Sequence, residues 1–308
     1  MIHAYIRGRL GNQLFQYAFV RKLQHYNPGV EVCYHFEEVY SAGSPEQDFV
    51  NSLKNYHVVD VCEGEEQPQL TFMQKLLMKL YWLRYPHAAP IHIINRYQMR
   101  WVGLLSRFGL YYLDLGYYDF PKKLPKGDVI VSGNFECEEY FREIKEQVLA
   151  EVTPLKPIST HNQDLLKLMQ ETNSVSLSIR RGEFVEEAKI SGQFNVCTPK
   201  YYQRAVAYIK QHVENPVLFV FSNDVEWCKQ HLDFGIETHY ESGNDPSWEA
   251  MELMSHCRHN IMANSSYNWW AQYKSPYKEK IVVAPARWWN SPFRPAIFQA
   301  HWHLIEVD

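Results

Sequence analysis

At 308 residues the chain is long enough for two domains of ordinary size, and its 46% hydrophobic and 21% charged residues describe a globular protein without low-complexity tracts. A formal net charge of −4 argues against nucleic-acid binding as the main activity, because affinity for a phosphate backbone rests on clustered positive charge. The six cysteines, at 33, 62, 137, 197, 228 and 257, form no Cys-x-x-Cys pair, the start lacks the apolar core of a signal peptide, and no run has membrane-spanning length; these disfavour a zinc site or a disulfide scaffold and read as a reduced, cytoplasmic enzyme.

In chain order, residues 2–6 predict a strand, Arg7-Gly-Arg-Leu-Gly-Asn-Gln13 a turn, and residues 14–25 a helix. Gly8 and Gly11 permit a tight turn and close backbone approach to a ligand, and Asn12 is placed to cap the helix with its amide facing outward. This is not the dinucleotide fingerprint, which needs three glycines at fixed spacing. Residues 71–113 contain no acidic residue, while Lys75, Lys79, Arg84, Arg96, Arg100 and Arg107 are interleaved with Trp82, Trp101 and several tyrosines. Within that stretch residues 72–83 have helical spacing, with Lys75 and Lys79 four apart. Such a face suits peripheral contact with anionic lipid headgroups; a solvated helix over core aromatics is the commoner arrangement.

Residues 129–131 predict a strand, Ser132-Gly-Asn-Phe-Glu136 the loop after it, and residues 138–149 a helix. The two prolines of Glu151-Val-Thr-Pro-Leu-Lys-Pro-Ile158 oppose regular structure and separate a first domain, 1–153, from a second, 154–308. The second domain then reads helix 161–171, strand 174–179, helix 199–213, strand 217–221, helices 226–231 and 247–257, strand 259–263, helix 265–273 and strand 280–284. Short apolar strands alternating with helices predict a doubly wound parallel sheet.

Three of these strands end in chemistry: Ser178-Ile-Arg-Arg-Gly-Glu183, Phe221-Ser-Asn-Asp224 and Ala263-Asn-Ser-Ser266. In a parallel sheet ligands sit beyond the carboxyl ends of the strands, where helix N-termini present N–H groups and a partial positive charge. An arginine offers a planar fork that matches two phosphate oxygens, and serines at a helix start add hydroxyl and backbone donors. Singly, paired arginines are more often surface ion-pairing residues and Ser-Ser more often a plain cap. Three such ends within about ninety residues favour a diphosphate site instead.

The same segments carry a resemblance. Gly11-Asn-Gln-Leu-Phe-Gln-Tyr17, Ser132-Gly-Asn-Phe-Glu-Cys-Glu-Glu-Tyr-Phe141, Ser178-Ile-Arg-Arg-Gly-Glu-Phe184, Phe221-Ser-Asn-Asp-Val-Glu-Trp-Cys-Lys229 and Ala263-Asn-Ser-Ser-Tyr-Asn-Trp-Trp270 resemble, in order and interval, the motifs of the inverting α-1,2-fucosyltransferases, glycosyltransferase family 11. The resemblance implies a GT-B-like architecture, two Rossmann-type domains facing across a cleft, the second holding GDP-β-L-fucose. It implies fucosyl transfer to O2 of a galactose-containing glycan, with inversion and no metal or other cofactor; the sequence contains no Asp-x-Asp. Under it, Arg180 holds the β-phosphate together with Ser265 and Ser266, while Arg181 pairs with Glu183 or Asp224. Gly11, Asn12, Asn223, Asp224 and Asn264 are further donor-binding positions, with Asn12 reaching from the first domain. Glu183 is either the general base or a salt-bridge partner of the arginines.

Two positions depart from the family pattern. Ser178 stands where the first motif has His, and Ala250 where an acidic residue is usual; the neighbouring Glu249 is the carboxylate available for the guanine N–H donors. Rival readings are a different nucleotide-deoxysugar donor and a carbohydrate-binding protein that uses the 15% aromatic content for stacking. A glycoside hydrolase is disfavoured, since no carboxylate pair stands out.

Overall fold

The computed structural model describes residues 1–64, 66–181 and 192–307. The chain divides into two compact units, Met1–Leu155 with Pro295–Ile297, and Lys156–Arg294 with Phe298–Asp308. Each is a mixed α/β unit on an all-parallel sheet, the GT-B-like fold class.

The first unit begins β1 (Ile2–Tyr5), α1 (Leu10–Tyr26), β2 (Val32–His35) and α2 (Glu37–Ala42). It continues with α3 (Phe72–Leu83), α4 (Ile91–Arg107), β3 (Leu110–Tyr112), β4 (Val129–Ser132) and α5 (Lys145–Glu151). The strand order is β2-β1-β4-β3. Helix α1 is buried on nearly every side, its Phe19 stacked on Phe135 with ring centroids 4.0 Å apart. Tyr17 donates to Glu151 Oε2 at 2.6 Å and Arg21 Nη2 to Oε1 at 2.8 Å, which pins α1 to α5.

Two expectations are corrected here. Helix α1 starts at Leu10 rather than 14, with Arg9 as its N-cap, so Gly11 and Asn12 lie in the first turn and Asn12 is not the cap. The turn is made by Gly8 at φ +72°, where a Cβ would press on Asn12 at 3.0 Å. The helix expected over 138–149 is broken: single 3₁₀ turns at Glu138–Tyr140 and Arg142–Ile144 precede α5. Tyr140 and Phe141 are buried against the rings of α1, and that packing outweighs the helical pattern.

The second unit runs α6 (Gln163–Glu171), β5 (Asn173–Ile179), α7 (Pro199–His212), β6 (Pro216–Ser222), α8 (Val225–His231) and β7 (Thr238–Tyr240). Then come α9 (Ser247–Ser255), β8 (His259–Ile261), α10 (Ser266–Lys274), β9 (Val282–Pro285) and β10 (His303–Ile305). The order β10-β9-β8-β5-β6-β7 is doubly wound, with helices on both sheet faces. The serines that alternate with apolar residues along β5 are inside and satisfied: Ser174 Oγ donates to Met169 O at 2.6 Å and Ser176 Oγ to Asn260 Oδ1 at 2.8 Å. Among the described residues no helix is long and apolar enough to cross a membrane.

Candidate active site

Ligands of parallel sheets gather beyond the strand ends at the point where the strand order reverses. In the second unit the reversal lies between β5 and β8. Arg180 follows β5 and Ser265 follows β8, and Arg180 Nη1 donates to Ser265 Oγ at 3.3 Å. Ser265 is also the N-cap of α10, accepting from Tyr267 N at 3.3 Å, and Ser266 is the first residue of that helix. A half-buried guanidinium is thereby held at the positive end of a nine-residue helix. That arrangement can receive a diphosphate and stabilise it as it departs.

The surrounding polar residues hold the loops around this point. Arg181 lies over the Trp227 ring at 3.5 Å and pairs through Nε with Asp224 Oδ2 at 3.2 Å. Asp224 in turn caps α8, accepting from Trp227 N at 3.2 Å, and Asn223 Oδ1 accepts from Arg181 N at 2.9 Å. Asn264 is buried, with Nδ2 donating to Phe194 O and Trp288 O at 2.9 Å each. Arg181 thus pairs with Asp224, as expected, and these contacts of Arg181, Asn223, Asp224 and Asn264 fix the loops after β5, β6 and β8.

Glu249 is similarly engaged. Its Oε1 accepts from Ser159 N and Asn162 Nδ2 at 2.8 Å each, and from the Ser159 hydroxyl. Burial acts to raise this carboxyl, but the donors outweigh it and hold it below the ordinary value. A carboxylate so engaged anchors the segment before α6. Glu183 lies outside the described residues. Ser178 sits in β5, half-buried, and Ala250 in α9.

The first unit shows a second constellation, whose Glu136 had no role assigned from the sequence. Beyond the ends of the paired strands β1 and β4, Asn12 Nδ2 donates to Glu136 Oε1 at 2.7 Å. Arg7, just after β1, pairs with Asp114, whose Oδ2 accepts from Gln98 Nε2 at 2.7 Å. Burial pushes the Glu136 carboxyl up to about 7, and the charge of Arg7 opposes the shift only in part. The loop that presents it is tightly specified. A Cβ on Gly133 would fall 2.1 Å from Leu113 O, and Phe135 adopts a left-handed φ of 51°. The available signal was the one used for Arg180, a polar residue just beyond an apolar strand. Flanking Phe135 and Cys137 announce a low-dielectric setting for it.

Two further groups of three potential metal ligands occur among the described residues: His3, Cys33 and His35, and His161, Asp245 and Glu249. Both are knit by internal hydrogen bonds, His3 Nδ1 to His35 Nε2 at 3.1 Å and His161 Nε2 to Asp245 Oδ1 at 2.7 Å.

The sequence model described as Glycosyl transferase family 11 matches residues 116–306, more than half of the chain. The chain belongs to glycosyl transferase family 11. The matched span holds Glu136, Arg180 and Ser265, the chemically distinctive members of both constellations. An alpha-1,2-colitosyltransferase of Escherichia coli is 35% identical over 169 residues, 54% of this chain and 58% of that protein. The chain thus spans less than two thirds of that relative. The O-antigen biosynthesis glycosyltransferase WbnK of Escherichia coli is 25% identical across 98% of this chain and 99% of its own length. A galactoside alpha-(1,2)-fucosyltransferase 1 of Lagothrix lagotricha is 24% identical over 74% of this chain and 63% of that protein. Among solved structures, the fucosyltransferase NodZ from Bradyrhizobium superposes with a TM-score of 0.53 at 11% identity, covering 88% of this chain and 91% of that one. That likeness shows the fold. A family 11 member with these two strand-end constellations is a glycosyltransferase.

Proposed function

We propose that this family 11 enzyme transfers L-fucose from GDP-β-L-fucose to O2 of a galactoside, with inversion and without a metal, in the cytoplasmic assembly of a surface polysaccharide or oligosaccharide. The observation that carries the reading is Arg180 bridged to Ser265 at the amino end of α10, on the reversal point of a doubly wound sheet. In the single displacement, the acceptor oxygen bonds to the fucose anomeric carbon as the bond to the β-phosphate oxygen breaks, the electron pair leaving with GDP. Arg180 and the helix start stabilise the charge that accumulates on the diphosphate.

Thermal shifts with GDP, UDP and dTDP test the nucleotide, since a ligand bound only to the folded state raises Tm. GDP alone should do so; an equal or larger rise with UDP or dTDP would sink the GDP assignment. Purified enzyme with GDP-fucose and a panel of galactosides then reads transfer directly. A second reading, with colitose in place of fucose on the same site, is favoured by the 35% identical colitosyltransferase. It predicts faster transfer from the nucleotide-linked colitose than from GDP-fucose.

A further inference from the structure

In α3 apolar residues line the outer side as well as the inner one. The face that packs inward carries Gln74 with Leu77 and Tyr81. Gln74 is held there by the Thr71 capping box and by its Nε2 donating to Asp128 O at 2.8 Å. At about 100° per residue, the opposite side of the helix then presents Phe72, Leu76, Leu80 and Leu83. Phe72 is 80% exposed and Leu83 74%. Single exposed apolar residues are ordinary; a row of them opposite the core, with a glutamine buried in their stead, is not.

Helix α4 lies beside α3, joined through Tyr81 and Tyr97, whose rings are 5.3 Å apart, and through Tyr97 donating to Tyr81 O at 2.5 Å. It buries Gln98, Val102 and Leu105, so the same geometry turns Arg96, Arg100 and Arg107 outward. Lys75, Lys79 and Arg84 are exposed on and after α3. Among the described residues none of these six cations is paired with a carboxylate. Residues 71–113 contain no acid at all, in a chain whose net charge is −4.

We propose that the α3–α4 face docks on the surface of an anionic phospholipid bilayer, the apolar row of α3 entering the headgroup boundary and the arginines of α4 meeting lipid phosphates. Charge complementarity selects this occupant: an apolar patch alone would suit another protein, whereas unpaired cations beside it, with no acid in forty residues of sequence, match a surface of one charge. The inference concerns where the enzyme works and is independent of the sugar it transfers.

Co-sedimentation with vesicles of phosphatidylcholine, with and without phosphatidylglycerol, tests it with no donor present. The full chain should bind the anionic vesicles at least about tenfold more tightly than the neutral ones, and salt should weaken that binding. With roughly fivefold per cation near the surface, Arg96→Glu/Arg100→Glu/Arg107→Glu should lower affinity by about a hundredfold or more. Phe72→Ser/Leu76→Ser/Leu83→Ser should also lower it, with Tm unchanged because these side chains touch solvent. Absent binding, equal affinity for both vesicles, or a dimer in light scattering that the Phe72/Leu76/Leu83 variant converts to monomer would each overturn the proposal.

Discussion

One pair of adjacent strand ends in each unit is built alike and carries different chemistry. In each, a side chain following the first strand of its unit hydrogen-bonds a side chain that follows a later, adjacent strand: Asn12 to Glu136 across β1 and β4, Arg180 to Ser265 across β5 and β8. The parallel sheet supplies the same geometric opening both times, and the residue types decide its chemistry. One opening presents a carboxyl with a raised pKa, suited to taking a proton; the other presents a guanidinium and a helix start, suited to holding an anion.

The largest test of that contrast is Arg180→Ala, which should lower kcat by about a hundredfold to a thousandfold with Tm nearly unchanged, while Arg180→Lys recovers part of the loss. Near-normal turnover in Arg180→Ala would break the assignment of the second opening to the diphosphate. Glu136→Gln removes the carboxyl that burial raises to about 7 in the other opening. It also has a stability signature. The folded carboxyl binds its proton more tightly than the unfolded one, so its contribution is present below the ordinary glutamate range and lost as pH rises through about 7. Glu136→Gln should therefore raise Tm relative to the parent at pH 8 and less so at pH 5; a Tm difference independent of pH would refute the buried titration.

Smaller effects should separate scaffold from site within the second unit. Glu249→Gln should lower stability by about 1–3 kcal/mol, because a buried acceptor of several donors is weakened, without changing the Tm rise produced by GDP. Arg181→Ala should cost about 1 kcal/mol for the lost ring contact and partly exposed ion pair, and less than tenfold in kcat/KM. A Glu249 or Arg181 variant that loses GDP binding but not stability would return that residue to the donor site.

Much of the second unit was legible because its strands are long and apolar enough to show, and its motifs sit where strands end. β5 and β6 have seven residues each, and both appear within two residues of the expected limits. The edge strands β2, β3, β7 and β10 have three or four residues, too few for a period to register. Helix α4 gathers Arg96, Arg100 and Arg107 on one side, but it buries Gln98 and leaves Ile93 exposed, so only packing reveals which residues face in.

Sequence by itself determined the class of the fold, the strand-end positions of Arg180 and Ser265, and the acid-free stretch in residues 71–113. These are properties of period, residue type and spacing along the chain. Tertiary structure alone decided which polar residues were left to do chemistry. Asn264 and Glu249 are indistinguishable from ligand-binding residues until their hydrogen-bond partners are seen, since those partners lie 70 and 90 positions away. The raised pKa of Glu136 likewise comes from burial, a quantity set by neighbours in space.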